Sequence, residues 1–525
     1  MQLSFFTWVL ALLPVIVVLV LMLALRWGGS KAGALAWFVA VAVAMLFFGA
    51  GPGLIAYAQV KAILLSLDVL YIIWTALLLF HIADEAGAVA TIGLALPRLT
   101  GNRTMQALLL GWLFTSFLQG MGGFGVPVAV AAPLLVSLGF SPVNAVVMAC
   151  IGHGWAVNFG SMATSFQTLL AVTGLPGELL APESAILLGL AALPCGMIVA
   201  YVAGSWKNVL RSMPALLILS LVMGLVQYLL VTNGVWTLGA TGAAMAGMLA
   251  GVALTRLPIY NHAPKGEAAP PAVQLPAAGA RQVSLALALS AYIVLIVLAF
   301  GINLVAPIER FLGQFQYTLY FPEMRTAFGW VTPAEAGRYI SLLSHPGAIL
   351  LYSSIVSYLV YRRAGCYQPG ALRRITWRVA QGAVNSSLGI VAMVGLSVVM
   401  SHSGMTNMLA MGLSQAFGAA LYPLAAPFIG ALGAFITGSN NNSNVLFAAL
   451  QQRTAELLGL SVSLILASQT AGGSLGSIIA PAKVIVGVST VGLVDRESTV
   501  MGKLLVYGLL PVLFVAVLTL VMAWW

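Results

Sequence analysis

Long apolar runs, separated by short polar segments, dominate the pattern of this chain. Examples are Trp8 to Leu25, Ala34 to Phe48 and Leu504 to Trp525, which approach or reach the roughly 20 apolar residues that a helix needs to cross about 30 Å of lipid. The pattern repeats about a dozen times. It predicts an all-α polytopic membrane protein with about 12–14 hydrophobic segments.

Two of these segments are interrupted by polar or glycine-rich runs. The first is FLQGMGGFGVP, Phe117 to Pro127, and the second is FITGSNNNSNVLF, Phe435 to Phe447. Irregular backbone survives at membrane depth only where protein buries it or where it lines a polar cavity. We therefore expect each run to form the tip of a re-entrant helix hairpin. The alternative interpretation is close packing of glycines between tightly crossed helices.

A second pair of interruptions follows the hairpins. The runs CIGHGWAVNFGSMATS, Cys150 to Ser165, and SQTAGGSLGSIIAPAK, Ser468 to Lys483, place Gly, Ser, Thr and Asn inside apolar segments. They predict discontinuous helices whose unwound centres face the hairpin tips.

These features occur in the same order in both halves of the chain. The run beginning LGFSP at Leu138 matches the run beginning LGLSV at Leu458, with a weak identity that rests mainly on glycine positions. Basic residues mark alternate loops as cytoplasmic, and they give the two copies opposite directions, so we predict an inverted repeat. The predicted domains are 1–60, N-terminal scaffold helices; 61–177, first inverted repeat; 178–260, scaffold helices; 261–282, cytoplasmic linker; 283–378, scaffold helices and an outer loop; 379–495, second inverted repeat; and 496–525, C-terminal helix.

Composition narrows the class of protein. Hydrophobic residues make up 61% and charged residues 6% of the 525 positions, whereas soluble domains carry about 25% charged residues. The basic residues responsible for the net charge of +10 lie in short loops. They form no basic stripe of the kind that binds nucleic acid. We expect a multi-pass protein of the plasma membrane, with a first segment that is a retained helix and not a signal peptide.

The chemistry of the interruptions favours an anion. Helix N-termini that point at a break present free N–H groups and partial positive charge, which suit a carboxylate. A secondary transporter of a small organic anion is the first interpretation, because no P-loop motif for ATP occurs in the sequence. A membrane-embedded enzyme lacks a convergent catalytic set, and a channel would favour charged rings over paired broken helices. The three cysteines have no metal-ligand spacing, so we expect no metal and no cofactor.

Three stretches resemble the L-lactate permease family, which includes glycolate permeases. They are FLQGMGGFGVPVAVAAPLLVSLGFSP from Phe117, TGSNNNSNVLFAALQ from Thr437 and AGGSLGSIIAPAKV from Ala471. The resemblance covers most of the chain in segment order. It implies import of L-lactate, glycolate or related 2-hydroxymonocarboxylates, usually with a proton. Relatives commonly place a glutamate at the position of Gln119 and often an aspartate within the run Asn440 to Asn442. Here both positions are amides, which do not titrate, so neither can carry the coupling proton.

The candidate binding residues come from the interrupted segments and from this family resemblance. They are Gln119, Gly122, Gly123, Phe124, Gly125, Asn158, Ser161, Ser439, Asn440, Asn441, Asn442, Ser443, Asn444, Gln469, Thr470, Ser474 and Lys483.

The coupling cation has two candidate carriers, His153 and Asp68. His153 has an unperturbed pKa near 6.5 and suits a proton carrier, although a neutral packed histidine is an equal alternative. Asp68 either serves the coupling ion or pairs with a residue such as Lys483. Lys483 either pairs with the substrate carboxylate or reaches toward the membrane surface. Sodium coupling, with the Asn- and Ser-rich run as an oxygen cage, is the alternative to protons.

Overall fold

The computed structural model describes residues 3–25, 27–123, 125–261, 283–493 and 496–524. The predicted linker lies outside these ranges except for Asn261, and so does the candidate residue Phe124.

The described chain is almost entirely helical. The helices before the linker are α1 Phe5–Leu23, α2 Gly29–Phe47, α3 Pro52–Glu85, α4 Ala88–Ala95, α5 Arg103–Leu108, α6 Thr115–Met121, α7 Val126–Ser137, α8 Pro142–Gly152, α9 Thr164–Thr173, α10 Gly177–Ala203, α11 Trp206–Thr232, α12 Gly239–Thr255 and α13 Pro258–Asn261. Those after it are α14 Leu285–Leu304, α15 Ala306–Gly313, α16 Pro346–Arg363, α17 Ala371–Ser403, α18 Met405–Thr437, α19 Asn440–Leu458, α20 Val462–Ser477, α21 Pro481–Thr490 and α22 Glu497–Ala523.

Within the described ranges, 11 helical segments are long and apolar enough to cross a membrane. The shorter helix α7 is also apolar. Their buried apolar side chains form two large clusters, one centred on α5 to α12 with α20 and α22, and the other on α1 to α3 with α17 to α19. The predicted class, an all-α polytopic membrane protein, is confirmed.

The predicted outer loop contains short strands between α15 and α16. Strand β1 Gln316–Phe321 pairs antiparallel with β4 Glu335–Ser341, and β2 Met324–Arg325 pairs with β3 Val331–Thr332. The Phe321 ring packs edge-on against Tyr57 of α3, with ring centroids 6.1 Å apart. The loop is therefore an ordered cap on the beginning of α3.

The order and length of the helices repeat along the chain. Helix α3 has 34 residues and its counterpart α17 has 33, α9 and α21 have 10 each, and α10 and α22 have 27 each. The turns before α8 and α20 also match, because Phe140 N–H donates to Leu135 O and Leu460 N–H donates to Ala455 O.

The two long counterpart helices run antiparallel. Arg378 near the start of α17 lies 3.4 Å from the Asp84 carboxylate near the end of α3, and Ser387 further along α17 accepts from Trp74 Nε1 at 2.9 Å. At 1.5 Å per residue each helix is about 50 Å long. An antiparallel pair of counterparts is the arrangement that an inverted repeat predicts.

Candidate functional site

The first glycine-rich run forms the tip of a helical hairpin. One arm is α5, a π-helical stretch Leu109–Phe114 and α6, and the other is α7. The chain turns through 122–125, where Gly125 has φ +93. The open ends meet, because the Arg103 guanidinium donates to Gly139 O at 2.5 Å and lies 4.7 Å from the Phe140 ring centroid. The chain thus returns to the side from which it came, as the sequence predicted.

The asparagine-rich run forms the second hairpin. Helix α18 is broken at Gly418 (φ +61, ψ 173), and the part after this kink packs along α19. Gln451 joins the two arms, since it accepts from Tyr422 Oη at 2.5 Å and donates to Ala426 O at 3.0 Å. Gly438 (φ +75) turns the chain at the tip.

The first broken helix is α8, an interruption at residues 153–163, and α9. Three consecutive non-glycine residues, Ser161, Met162 and Ala163, adopt φ of +48, +57 and +61. This left-handed turn is sterically unfavourable. It is held to the first hairpin because Ser161 N–H donates to Gln119 O at 2.7 Å and Ser161 Oγ accepts from Gly123 N–H at 2.8 Å.

The second broken helix differs from the prediction. Gln469, Thr470 and Ser474 lie in regular helix α20, and the interruption is confined to residues 478–480. The glycines here serve packing: a Cβ on Gly472 would collide with the Pro427 carbonyl of the second hairpin. Without side chains at these positions, α20 approaches the hairpin backbone closely. The predicted interruption of the run Ser468 to Lys483 is therefore present, but it is short and lies after Ser477.

A buried hydrogen-bond network joins the two halves of the protein. Thr470 Oγ1 donates to Asn158 Oδ1 at 2.6 Å and accepts from Asn444 Nδ2 at 2.9 Å and Asn440 Nδ2 at 3.2 Å. Ser165 Oγ donates to Asn441 Oδ1 at 2.5 Å.

The network continues behind the second hairpin. Asn440 Nδ2 also donates to Ser474 Oγ at 3.1 Å, and Gln469 Nε2 donates to Ser443 Oγ at 3.1 Å. These hydrogen bonds bring the predicted residues together, while Asn158 Nδ2, Asn440 Oδ1 and Asn444 Oδ1 have no hydrogen-bond partner among the described residues.

A cavity of about 460 Å³, lined by both polar and apolar side chains, lies beside this network. Helices α2, α19 and α21 all begin at its wall, and none of their N-cap positions (Gly28, Ser439 and Ala480) supplies a side-chain hydrogen bond to its helix. Their free N–H groups and dipoles make the cavity favourable for an anion. The lining residues are Gly28, Gly29, Ser30, Gly389, Ile390, Thr437, Gly438, Ser439, Asn441, Asn442, Ala482, Lys483 and Val486.

A second cavity of about 690 Å³ adjoins the first and shares Gly28, Gly29, Thr437, Gly438 and Ala482 with it. It extends the polar space past the turn between α1 and α2 toward the start of α22.

Lys483 places a buried amine at the cavity wall. Its side chain is buried, with 7% exposed, and Nζ donates to Ser477 Oγ at 3.0 Å. Within the described residues no carboxylate forms an ion pair with it. A buried cation without a counter-ion is unfavourable, so this position is suited to an anionic ligand.

The predicted residues thus divide into three groups. Ser439, Asn441, Asn442 and Lys483 line the cavity. Asn158, Asn440, Ser443, Asn444, Gln469, Thr470 and Ser474 form the supporting network, and Gln119, Gly122, Gly123, Gly125 and Ser161 belong to the first hairpin and its contacts. Gly125 faces Val486 of α21, so the first hairpin reaches the cavity through that side chain.

Asp68 does not lie at the cavity. Its carboxylate accepts from His345 Nε2 at 2.9 Å, both side chains are buried, and the Tyr71 ring stacks on the imidazole with centroids 5.1 Å apart. The expected pairing of Asp68 with Lys483 is therefore wrong. His345, which sequence reasoning left without a role, is its partner and also the N-cap of α16, where Nδ1 accepts from Gly347 N–H.

His153 lies behind the cavity at the end of α8. Nδ1 is 2.7 Å from Ala149 O, and because a carbonyl only accepts, Nδ1 carries a proton. In the part of the chain that the structure describes, Nε2 has no hydrogen-bond partner. The imidazole is buried and close enough to Lys483 for direct electrostatic interaction.

Several site residues were missed from the sequence. Gly28, Gly29 and Ser30 looked like a simple loop between spans, and Ser165 and Ser477 carried no distinctive spacing. The double glycine at the start of α2 was the available signal.

Interrupted helices whose N-termini meet at one cavity are the architecture of a secondary transporter. The family model described as L-lactate permease matches residues 7–524. The chain therefore belongs to the L-lactate permease family, which is one of permeases and not of enzymes. It is a multi-pass protein of the plasma membrane.

Relatives named as permeases are similar to this chain over nearly its whole length. The L-lactate permease of Halalkalibacterium halodurans is 26% identical over 98% of this chain and 96% of its own length. The glycolate permease GlcA of Escherichia coli is 26% identical over 98% and 95%, respectively. Among solved structures, the YdaH transporter of Alcanivorax borkumensis matches with a TM-score of 0.47 and 17% identity, covering 86% of this chain and 84% of that one.

Proposed function

We propose that this protein imports L-lactate, glycolate or a related 2-hydroxymonocarboxylate across the plasma membrane by proton-coupled secondary transport. The observation that carries the proposal is the convergence of three helix N-termini and buried Lys483 on one cavity. Relatives named L-lactate permease and glycolate permease support the choice of substrate.

The cavity offers distinct partners for the two ends of such a substrate. The carboxylate would lie against the Lys483 ammonium and the helix N-termini, where charge-assisted hydrogen bonds are strongest. The neighbouring amides of Asn441 and Asn442 and the hydroxyl of Ser439 line the same wall and can bond the 2-hydroxyl group. A carboxylic acid that lacks this hydroxyl would leave buried amides unpaired and would be transported less well.

The inverted repeat predicted from the sequence would let this site open alternately to the two sides of the membrane. The cavity adjoins the turn between α1 and α2, which the distribution of basic residues assigns to the cytoplasm. We infer that the structure represents an inward-facing state. Rocking of the two repeats, 61–177 and 379–495 together with their flanking helices, would expose the same cavity to the outside.

Uptake of labelled L-lactate into proteoliposomes tests the proposal. An inwardly directed proton gradient should drive accumulation by the wild type and not by Lys483→Met. Lys207→Met, which removes an exposed lysine of α11, is the matched control and should resemble the wild type. Accumulation that depends on a sodium gradient and not on the proton gradient would show that sodium is the coupling ion. Failure to take up any 2-hydroxy acid would overturn the proposal.

A further inference from the structure

The buried amine of Lys483 lies in a setting that does not stabilise its charge when the cavity is empty. Ser477 Oγ is the one hydrogen-bond acceptor of Nζ among the described residues, and an ammonium can donate three hydrogen bonds. Burial disfavours the charged form of an amine, and a nearby anion favours it. Protonation of Lys483 and occupation of the cavity by a carboxylate therefore favour each other.

The titratable groups around Lys483 come from the helices packed against α21. From α8 come Cys150 and, at its end, His153, which both lie near enough to interact with the amine. Helix α22 brings Glu497, which lines the adjoining cavity, and Lys503, whose ammonium donates to Asn144 Oδ1 at 3.1 Å. Helix α7 and the cavity wall of α19 contribute no titratable side chain in the described ranges.

The other candidate proton carriers fit less well. Gln119 and Asn440 to Asn442 are amides and do not titrate. Asp68 is bound to His345 away from the cavity. His153 does not line the cavity.

We propose that Lys483 itself carries the coupled proton and is also the counter-ion of the substrate carboxylate. In the empty site the side chain is a neutral amine. When the anion enters, the amine takes one proton from solution, an N–H bond forms, and ammonium and carboxylate occupy the cavity as a neutral pair. On the other side of the membrane the N–H bond breaks and the proton and the anion leave together.

This inference rests on the proposed function and makes it more specific. Because the loaded and the empty site are both neutral, one proton accompanies each monocarboxylate and the transport cycle moves no net charge. The binding of the anion and of the proton must also be reciprocal, since each raises the affinity for the other.

Proton uptake on substrate binding is the direct test and needs no variant. Purified wild-type protein in detergent, in weak buffer with a pH indicator dye, should take up about one proton for each bound L-lactate at alkaline pH. Binding is followed in parallel by calorimetry. Binding without proton uptake at any pH would overturn the inference and leave the proposed function standing, whereas absence of both binding and transport would overturn both.

Lys483→Arg tests anion binding and proton binding separately. Arginine stays charged, so it can bind the carboxylate but cannot take up or release the coupled proton. The variant should bind L-lactate without proton uptake and should exchange internal for external lactate. It should no longer accumulate lactate under a proton gradient. Lys503→Arg is the matched control and should keep full coupling, as should His153→Gln.

The opposite pattern would contradict the proposal. If His153→Gln abolishes binding-linked proton uptake while Lys483→Arg retains it, the proton resides on His153. Should Lys483→Arg not yield folded protein by size-exclusion chromatography, His153→Gln decides the question, because proton uptake retained in that variant supports Lys483 and its loss assigns the proton to His153.

Discussion

The hydroxyl of Thr470 donates to the side-chain oxygen of Asn158 at 2.6 Å across 312 positions of sequence. This bond joins the broken helix of the first half to α20 of the second half. The same hydroxyl accepts from Asn440 and Asn444, so one small side chain organises the contact between the second hairpin and both broken helices.

Replacing this hydroxyl by a methyl group should destabilise the protein. Thr470→Val keeps the volume but removes one donor and one acceptor, which leaves buried amides of three asparagines without that partner. Each unsatisfied buried group costs about 1–3 kcal/mol. We expect a clear fall in the melting temperature, measured by thermal unfolding of the purified protein.

Thr168→Val is the matched control for that experiment. Thr168 is equally buried, but its hydroxyl bonds only to Thr164 O of its own helix. It should lose little stability. Equal melting temperatures for the two variants would show that the network around Thr470 is not structurally important.

The close approach of α20 to the second hairpin leads to a second prediction. Gly472→Ala would place a methyl group against the Pro427 carbonyl, and overpacking of this kind costs typically about 1–3 kcal/mol. Gly502→Ala is the control, because it lies in helix α22 with open space around its Cα. It should leave stability unchanged or raise it slightly, by up to about 1 kcal/mol from helix propensity. A Gly472→Ala variant as stable as the wild type would show that the helices separate easily.

Gly472 also illustrates why sequence reasoning located the site better than it described the local backbone. Glycine permits both an unwound segment and a tight helix crossing, so the run Gln469 to Ser474 fitted either interpretation. The hairpin tips were less ambiguous, because each combines glycine with several polar side chains in an otherwise apolar segment. Lys483 was identifiable because it is the only lysine in the interrupted segments of the two predicted repeats.

Long-range partners could not be found in this way. His345 meets Asp68 across 277 positions, and no spacing or periodicity connects them. Similarly, Gly28 and Gly29 read as an ordinary turn between spans, since only the packing of α2 beside the second hairpin brings them to the cavity.

The buried pair of Asp68 and His345 should matter for stability and not for coupling. Loss of one partner from a buried hydrogen bond leaves a polar group unsatisfied, which costs about 1–3 kcal/mol, so Asp68→Asn and His345→Ala should each lower the melting temperature. The effects should be non-additive in the double variant. Protein that remains folded should still accumulate lactate under a proton gradient. A stable Asp68→Asn variant that has lost this dependence would make Asp68 a coupling residue.

Asn441 connects the network to the cavity, and its substitution should abolish transport. The side chain accepts from Ser165 and also lines the cavity next to Ser439 and Asn442. Asn441→Leu removes the amide but keeps the branching at Cγ, so the substrate hydroxyl and the Ser165 hydroxyl both lose a partner.

We expect uptake of labelled L-lactate into proteoliposomes to fall to the level of empty liposomes, while the protein keeps its elution position in size-exclusion chromatography. Asn233→Leu, at an exposed helix end where the amide bonds only to Leu229 O, controls for the substitution itself. Uptake by Asn441→Leu at the wild-type rate would move the binding site away from the second hairpin, because no other amide on that wall both contacts α9 and faces the cavity within the described residues.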